Sequence, residues 1–516
     1  MSSFLNRLEY LCPPLIQGLR SRIKASPVGY RLARGAFWSL TGTVLSRGLG
    51  LLSGILVGRL LGKHGFGELG MIQSTVGLFG TVAGFGMGTM ATRNVAELRL
   101  KDPLKAGRVI ALSSATAWLT SAGMALLLII FAPWLAKHTL AAPQLTGLLR
   151  VGALLLLLNG VNGAQTGALA GFEAFKSISR INLYTGLLSF PLMLVGAWFW
   201  GVTGAVWAYV ANYAFNCWMN WHALRQEANK SGIVLTYDGC LQESGLFWRF
   251  NLPTVINSIL YSFTIWACGA MVVQQASGYG GMGVFNAAKR FAELPELFFG
   301  MLMVPVLPVL SETFGRKDMA AYGKTLVMGF LVGTLIIVPV SLLQIAVPWL
   351  TLLPYGADYQ GGESIVRWLV LGSVAYSLVW PVNNILISMG RMWLLVAQVV
   401  LYMVLYLVLG RWLIPRHGAA GFAMAGTLAF TLSNLPCVVF LFLKLGDTMR
   451  RAKWISMVLV VGGLVFFCWN LPASWSPSLA LAAGLVSAAV YGVWRLVAAR
   501  EYWNKSSGQP GNSSKP

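Results

Sequence analysis

Residues Gly278–Glu312 read GYGGMGVFNAAKRFAELPELFFGMLMVPVLPVLSE, and the fold turns on how this stretch is understood. It is apolar and long enough to cross a bilayer, since about 20 residues of helix at 1.5 Å each span the hydrocarbon. Yet Lys289, Arg290, Glu293 and Glu296 lie well inside it. At about 100° per residue, Lys289, Glu293 and Glu296 share one narrow stripe, with Asn286 and Arg290 beside it. Val284, Phe291, Phe298 and Leu302 fall on the opposite face, which suits lipid or packed helices. Ionised groups at membrane depth cost about 2.5–3.5 kcal/mol each on insertion scales, so they face water or each other. The stripe therefore predicts a helix that lines a polar, water-filled cavity.

The rest of the chain has the same character. Of 516 residues 56% are hydrophobic and only 10% charged, where a soluble protein carries about 25% charged residues. Apolar runs of membrane-spanning length recur from Gly35 to Val497, predicting an all-α polytopic membrane protein of about fourteen spans. Six fall in residues 35–224 and six in 251–443, the eighth covering 281–311; two more cover 454–471 and 477–498 within 444–500. A hydrophilic stretch, 225–250, reads as a cytoplasmic linker between two bundles. Residues 1–34 form a basic N-terminal segment and 501–516 a disordered tail. Lys and Arg concentrate in alternate loops, for example Arg93, Arg99, Lys101, Lys105 and Arg108, then Lys444, Arg450, Arg451 and Lys453. By the positive-inside rule both termini are cytoplasmic. The same rule accounts for the net charge of +22, so nucleic acid is not an expected partner.

Several chemistries are excluded. The six cysteines are scattered, with no CxxC and no ligand-like spacing to histidine, so neither a disulfide framework nor a metal site is expected. None of His64, His138, His222 and His417 has a carboxylate or cysteine partner at catalytic spacing, and there is no Walker A sequence. The GxGxxG at Gly65–Gly70 joins two predicted membrane helices rather than following a strand, so it reads as a tight turn. No catalytic residue and no cofactor is expected.

An internal repeat supports two bundles. Gly65-Phe66-Gly67-x-x-Gly70 matches Gly278-Tyr279-Gly280-x-x-Gly283 at an offset of 213, and Lys101-Asp102 matches Lys317-Asp318 at 216. Gly201-x-x-Gly204 matches Gly418-x-x-Gly421 at 217, and Gly171 matches Gly390 at 219. Six helices separate the copies, so the repeats are parallel, an arrangement in which secondary transporters hold substrate between halves. Arg47 lies mid-span with no partner on its own helix; it either pairs with Glu293 or Glu296 across the bundle or contacts an anion. If Lys289 pairs with Glu293 at i,i+4, Arg47 leaves the cavity net positive and suited to a phosphate. Asn159, Asn162 and Gln165 correspond roughly to Asn383 and Asn384, and Asn212 and Asn216 to Asn434. These amides either bond between helices or contact sugar. A kink near Pro295 or Pro381 could serve a rocking motion.

The chain resembles the polysaccharide-exporting, O-antigen flippase branch of the multidrug/oligosaccharidyl-lipid/polysaccharide exporter superfamily. The resemblance rests on GAFWSLTGTVLSRGLGLLSGILVGRLLGKHGFGELG, with Ser-Arg in mid-helix, and on FNAAKRFAELPEL preceding MLMVPVLPVLSE. It covers most of residues 35–443. It implies two pseudo-symmetric six-helix lobes in a V around a cationic central cavity that opens alternately to either side of the cell's inner membrane. It also implies a polyprenyl-pyrophosphate-linked oligosaccharide as cargo, with Arg47, Lys289 and Arg290 meeting pyrophosphate or acidic sugars. The four amides Asn159, Asn162, Asn383 and Asn384 are further candidates to line the substrate cavity, and Glu293 and Glu296 to bind H+ or Na+ as coupling ion. Other polysaccharide-assembly proteins are a further partner class. The two C-terminal spans resemble those of fourteen-helix members. The alternatives are a cation-coupled drug or metabolite antiporter, which the lack of an acidic residue inside the first bundle disfavours, and a membrane-embedded glycan polymerase or ligase, which short external loops disfavour.

Overall fold

The computed structural model describes residues 27–84, 86–236, 245–276, 278–303, 306–316 and 319–444, and beyond them 462–464, 466, 470, 479 and 481–491. The described residues form helices and the turns that join them, with no strand among them. The first half holds α1 (Pro27–Gly84), α2 (Met87–Leu98), α3 (Pro103–Trp134), α4 (Thr146–Gly171) and α5 (Phe175–Lys230). The second holds α6 (Gly245–Val273), α7 (Gly278–Ala292), α8 (Leu294–Met303), α9 (Val306–Gly315), α10 (Met319–Ala346), α11 (Pro348–Leu352), α12 (Glu363–Ser388) and α13 (Met392–Lys444). A further helix, α14 (Leu481–Tyr491), packs through Gly484 on Leu343 and Ala346 of α10. Most of the expected last two spans, like residues 1–26 and 237–244, lies outside the described residues.

Among the described residues six helical stretches are long and apolar enough to cross a membrane, or up to seven if the bent pair Gly333–Ala346 and Pro348–Tyr355 is one span. Three of the six, Leu45–Leu98, Phe175–Lys230 and Met392–Val439, run to 54, 56 and 48 residues. Straight, 54 residues would measure about 80 Å against about 30 Å of hydrocarbon, so the chain must turn back. It does so at Gly62, Gly201 and Gly418, whose φ values of 65°, 58° and 56° favour a residue without Cβ. At the second turn a Cβ on either Gly196 or Gly204 would collide with the other's carbonyl; at the third, Gly421 meets the Leu413 carbonyl in the same way.

The two halves repeat with one register. α3 and α10 begin 216 residues apart, and α4 and α12, like α5 and α13, 217 apart. The α4–α5 turn bonds Phe172 N to Ala168 O, Glu173 N to Ala170 O and Ala174 N to Leu169 O; the α12–α13 turn repeats all three bonds 217 residues later, through Met389, Gly390 and Arg391. The left-handed residue is Gly390 in one copy and Glu173 in the other, not Gly171. The sequence offset of 213 for the first glycine cluster is corrected likewise. A Cβ on Gly67 would strike the Tyr279 carbonyl, and a Cβ on Gly283 would strike the Lys63 carbonyl. The two contacts exchange under an offset of 216, so α1 and α7 touch through equivalent backbone surfaces.

That contact sits at the end of the bundle marked by Gly62, Gly201 and Gly418. There one hydrophobic core mixes both halves, including Val57, Leu69, Met282, Phe285 and Tyr355. At the opposite end the halves have separate cores. Val95, Ile110, Phe172 and Leu224 belong to one, and Leu310, Tyr322, Val379 and Ile385 to the other.

The expected continuous span 281–311 is instead broken into α7, α8 and α9. Pro295 lacks the N–H that would bond to the Phe291 carbonyl four residues earlier. That carbonyl accepts from Gln344 Nε2 at 3.2 Å, and the next one, Ala292 O, accepts from Ser373 Oγ at 3.1 Å.

Because the obstacle at Gly67 and Gly283 is backbone, which cannot rotate away, Gly67→Ala and Gly283→Ala should each destabilise the protein by about 1–3 kcal/mol. Gly77→Ala, with open space around it, should be neutral. Thermal unfolding of the three detergent-purified variants checks this.

Candidate substrate cavity

Two cavities flank the broken helix. The first, about 240 Å³, lies between α1, α5 and the α7–α8 break and is lined by Arg47, Ser53, Gly54, Phe66, Arg290 and Glu293 among others. The second, about 270 Å³, lies within the second half. Its walls include Tyr261 of α6, Tyr376 of α12 and Tyr402 and Tyr406 of α13, with Lys289, Glu293 and Glu296 from the break. Glu293 lines both cavities.

Arg290 reaches across the first cavity from α7 to α1. Its Nη1 donates to Gly50 O at 3.4 Å, and its guanidinium stands 5.4 Å from the Phe66 ring centroid. It occupies the notch left by Gly54, where any Cβ would strike the guanidinium. Arg47 is exposed in this cavity and, among the described residues, makes no ion pair. Lys289 Nζ pairs with Glu293 Oε1 at 3.5 Å. Two arginines thus face one space whose carboxylate is engaged by a lysine from behind, and the sum is positive. A cationic wall of this kind can meet phosphate oxygens with the paired N–H groups of its guanidiniums.

The structure separates residues that the sequence placed together. Arg47 and Arg290 share the first cavity, Lys289 lines the second, and Glu296 lines only the second, near Ser373. The four amides line neither cavity. Asn162 Oδ1 accepts from Asn220 Nδ2, which also reaches Asn216 Oδ1, joining α4 to α5. Asn159 packs its amide near Gly80 on α1, and Asn384 is buried on α12 beside Asn383. Among the described residues no group of His, Cys, Asp or Glu could hold a metal ion.

One part of the site had no counterpart in the sequence reading. The turns between α11 and α12 pack on α1 beside the first cavity, at the Gly62 end. Tyr359 donates from its hydroxyl to Gly58 O at 2.8 Å, and Arg59 Nε donates to Pro354 O. Tyr355 packs against Gly58, Phe66 (5.9 Å), Phe291 (6.3 Å) and Tyr359 (5.1 Å). Burial pushes the Tyr359 phenol up, with Tyr355 and Asp358 adding to the effect, so it stays protonated and donates. The only signal in the sequence was a loop with two tyrosines and no basic residue.

Fold and site together define a multi-pass membrane transporter built around a charged cavity between two helical halves. The chain belongs to the polysaccharide biosynthesis protein family, whose model matches residues 32–314. It is similar to the lipid III flippase of Escherichia coli (strain K12), 23% identical over 439 residues that cover 80% of this chain and 98% of the relative; the Shigella flexneri protein matches equally. Among solved structures it resembles the lipid II flippase MurJ in an inward closed conformation (TM-score 0.65, 15% identity, covering 88% of this chain and 97% of the other). It also resembles an inward-facing multidrug resistance MATE family transporter of the MOP superfamily (TM-score 0.64, 14% identity, 81% and 99%). The chain is a transporter and not an enzyme.

If the tyrosine cap is what seals the cavity, Tyr359→Ala should open it. A cysteine placed at Val57 should then react several-fold faster with an impermeant maleimide added on the Gly62 side. An unchanged labelling rate would mean that the glycine contact alone makes the seal.

Proposed function

We propose that the chain is a flippase for a polyprenyl-pyrophosphate-linked oligosaccharide, an O-antigen or exopolysaccharide repeat unit. It moves the unit from the cytoplasmic to the periplasmic leaflet of the inner membrane, with both termini cytoplasmic. One observation carries the reading: Arg47 and Arg290 face the same cavity between the halves, while Lys289 holds the nearby carboxylate. A pyrophosphate in bare hydrocarbon would have to shed its water without partners, which is prohibitive. Between two guanidinium groups it keeps partners throughout the passage.

Fourteen spans forming two pseudo-symmetric lobes and two C-terminal helices are part of this proposal, supported by the constant 216–217 register. So is alternating access through a V. The shared core at one end and separate cores at the other fit a state open toward the cytoplasm. Lobe boundaries at 35–224 and 251–443, with a linker at 225–250, are part of the same proposal, although α5 runs on to Lys230 and α6 begins at Gly245. Glu293 and Glu296 are the candidates for H+ or Na+ coupling, since both carboxylates border the second cavity.

The likeness to multidrug transporters favours a second reading, efflux of a cation coupled to an ion gradient. The two carboxylates in an aromatic pocket suit a cation as well. Reconstituted vesicles separate the two. With a fluorescent prenyl-pyrophosphate sugar, wild-type protein should accelerate transfer between leaflets. Arg47→Ala and Arg290→Ala should each slow transfer about tenfold or more, the loss of a charged hydrogen bond of about 1.5–3 kcal/mol, with melting temperature unchanged for Arg47→Ala, whose side chain makes no ion pair among the described residues. Cation efflux that survives both substitutions, with no lipid transfer, would establish the antiporter instead.

A further inference from the structure

We propose that the tyrosine-walled cavity of the second half is a subsite for the sugar ring joined directly to the pyrophosphate, distinct from the arginine-lined cavity that takes the phosphates. The inference rests on the flippase reading and adds a place and a chemistry for the glycan.

A pyranose has an apolar C–H face and a rim of hydroxyls, so a site for one needs flat aromatic walls and convergent acceptors. Both are present. The Tyr261 and Tyr402 rings stack at 5.5 Å, and Tyr402 meets Tyr406 at 5.5 Å. Glu296, acceptor-only when ionised, and Ser373 line the same cavity. Tyr402 is only 5% exposed, yet its hydroxyl bonds to no described residue, whereas Tyr406 donates to Phe422 O at 3.1 Å. The ring is packed while the hydroxyl is not sealed off, so it is free to meet a ligand. Here it opens into the cavity.

Three further observations narrow the ligand. Glu293 forms a wall of both cavities, so they adjoin, as an anomeric pyrophosphate adjoins its sugar through a single glycosidic oxygen. Lys289 already engages Glu293 at 3.5 Å, which leaves Glu296 as the lining carboxylate with no ion pair among the described residues, an acceptor for the hydroxyl rim of a neutral ring. The pocket is also built in one half only. At the register of 217, Tyr376, Tyr402 and Tyr406 correspond to Asn159, Thr185 and Ser189, and at 216 Glu293 and Glu296 correspond to Gly77 and Gly80. A fold needs neither set of side chains, since one half forms its helices without them.

The test uses full-length protein in nanodiscs and four probes: farnesyl pyrophosphate, and farnesyl pyrophosphate carrying glucose, galactose or N-acetylglucosamine. The subsite predicts that at least one glycosylated probe binds wild type about tenfold tighter than the bare one. Tyr402→Phe and Glu296→Gln should each bring that ratio toward one, while Arg290→Ala weakens every probe and preserves the ratio. Phenylalanine keeps the ring and its packing, so a lost ratio there reports the hydroxyl and not misfolding. A ratio near one for all three sugars in wild type, or one that survives both substitutions, overturns the subsite alone. Sodium-dependent binding with no sugar preference also overturns it, by giving the pocket to a cation. If bare farnesyl pyrophosphate does not bind wild type at all, the flippase reading fails first.

Discussion

A guanidinium at membrane depth has to keep either water or a partner, and in this chain that constraint is met by what α1 lacks. Gly50, Gly54 and Gly58 recur every four residues, so they fall along one face of the helix. Arg290 donates to the carbonyl of the first, lies in the notch of the second, and the Tyr355 ring covers the third. Small residues let backbones approach in membranes; here they let a charged side chain and an aromatic cap approach a backbone. A helix with ordinary side chains at those positions would push Arg290 into the open cavity and lift the tyrosines off their seat.

The duplication supplies the scaffold and the charges depart from it. Where α7 and α8 carry Asn286, Lys289, Arg290, Glu293 and Glu296, the equivalent surface of α1 carries Gly70, Gln73, Ser74, Gly77 and Gly80. The small residues of one copy make room for the polar ones of the other: a Cβ at Gly70 would overlap the Asn286 amide. Symmetric backbone contacts therefore fix the relation of the halves, and asymmetric side chains decide what sits between them. This division explains how one architecture can serve lipid-linked glycans and drugs with so little sequence in common.

How much could be read from the sequence follows the range of each interaction. The Lys289–Glu293 pair was legible because i,i+4 neighbours meet on any helix. The positive cavity followed from it once Arg47 was seen to have no local partner. The repeat was legible but its first register was not. GxGxxG places glycines three residues apart on one face, so the motif matches its copy at 213 or at 216, and only the Gly67–Tyr279 and Gly283–Lys63 contacts choose. The break at Glu293 follows from Pro295, yet its stability depends on Gln344, which is distant in sequence. The tyrosine pocket was invisible for a similar reason. Its rings come from α6, α12 and α13, and a lone tyrosine in an apolar span reads as packing or as an interfacial anchor. The amides were ambiguous by nature, since a hydrogen bond between helices and one to a sugar use the same atoms.

The closed end also sets the energetic scale of the proposed cycle. Besides apolar packing, at least four hydrogen bonds among the described residues hold the halves there and must break for the cavity to open: Tyr359 to Gly58, Arg59 to Pro354, Tyr279 to Leu140 at 2.8 Å and Gln274 to Thr139 at 2.9 Å. At about 0.5–1.5 kcal/mol net apiece they amount to roughly 2–6 kcal/mol. Shifting a two-state equilibrium from 1:99 to 99:1 takes about 5.5 kcal/mol of differential affinity. The polar part of the latch is thus on the scale that one ligand can overcome, provided its charged hydrogen bonds are better formed in the opposite state. The glycine contact beneath the latch is of another kind: it meets backbone to backbone, with no side chain to disengage. It would act as the pivot about which the halves rock, which is why α1 and α7 have to stay free of side chains at the two positions where they touch.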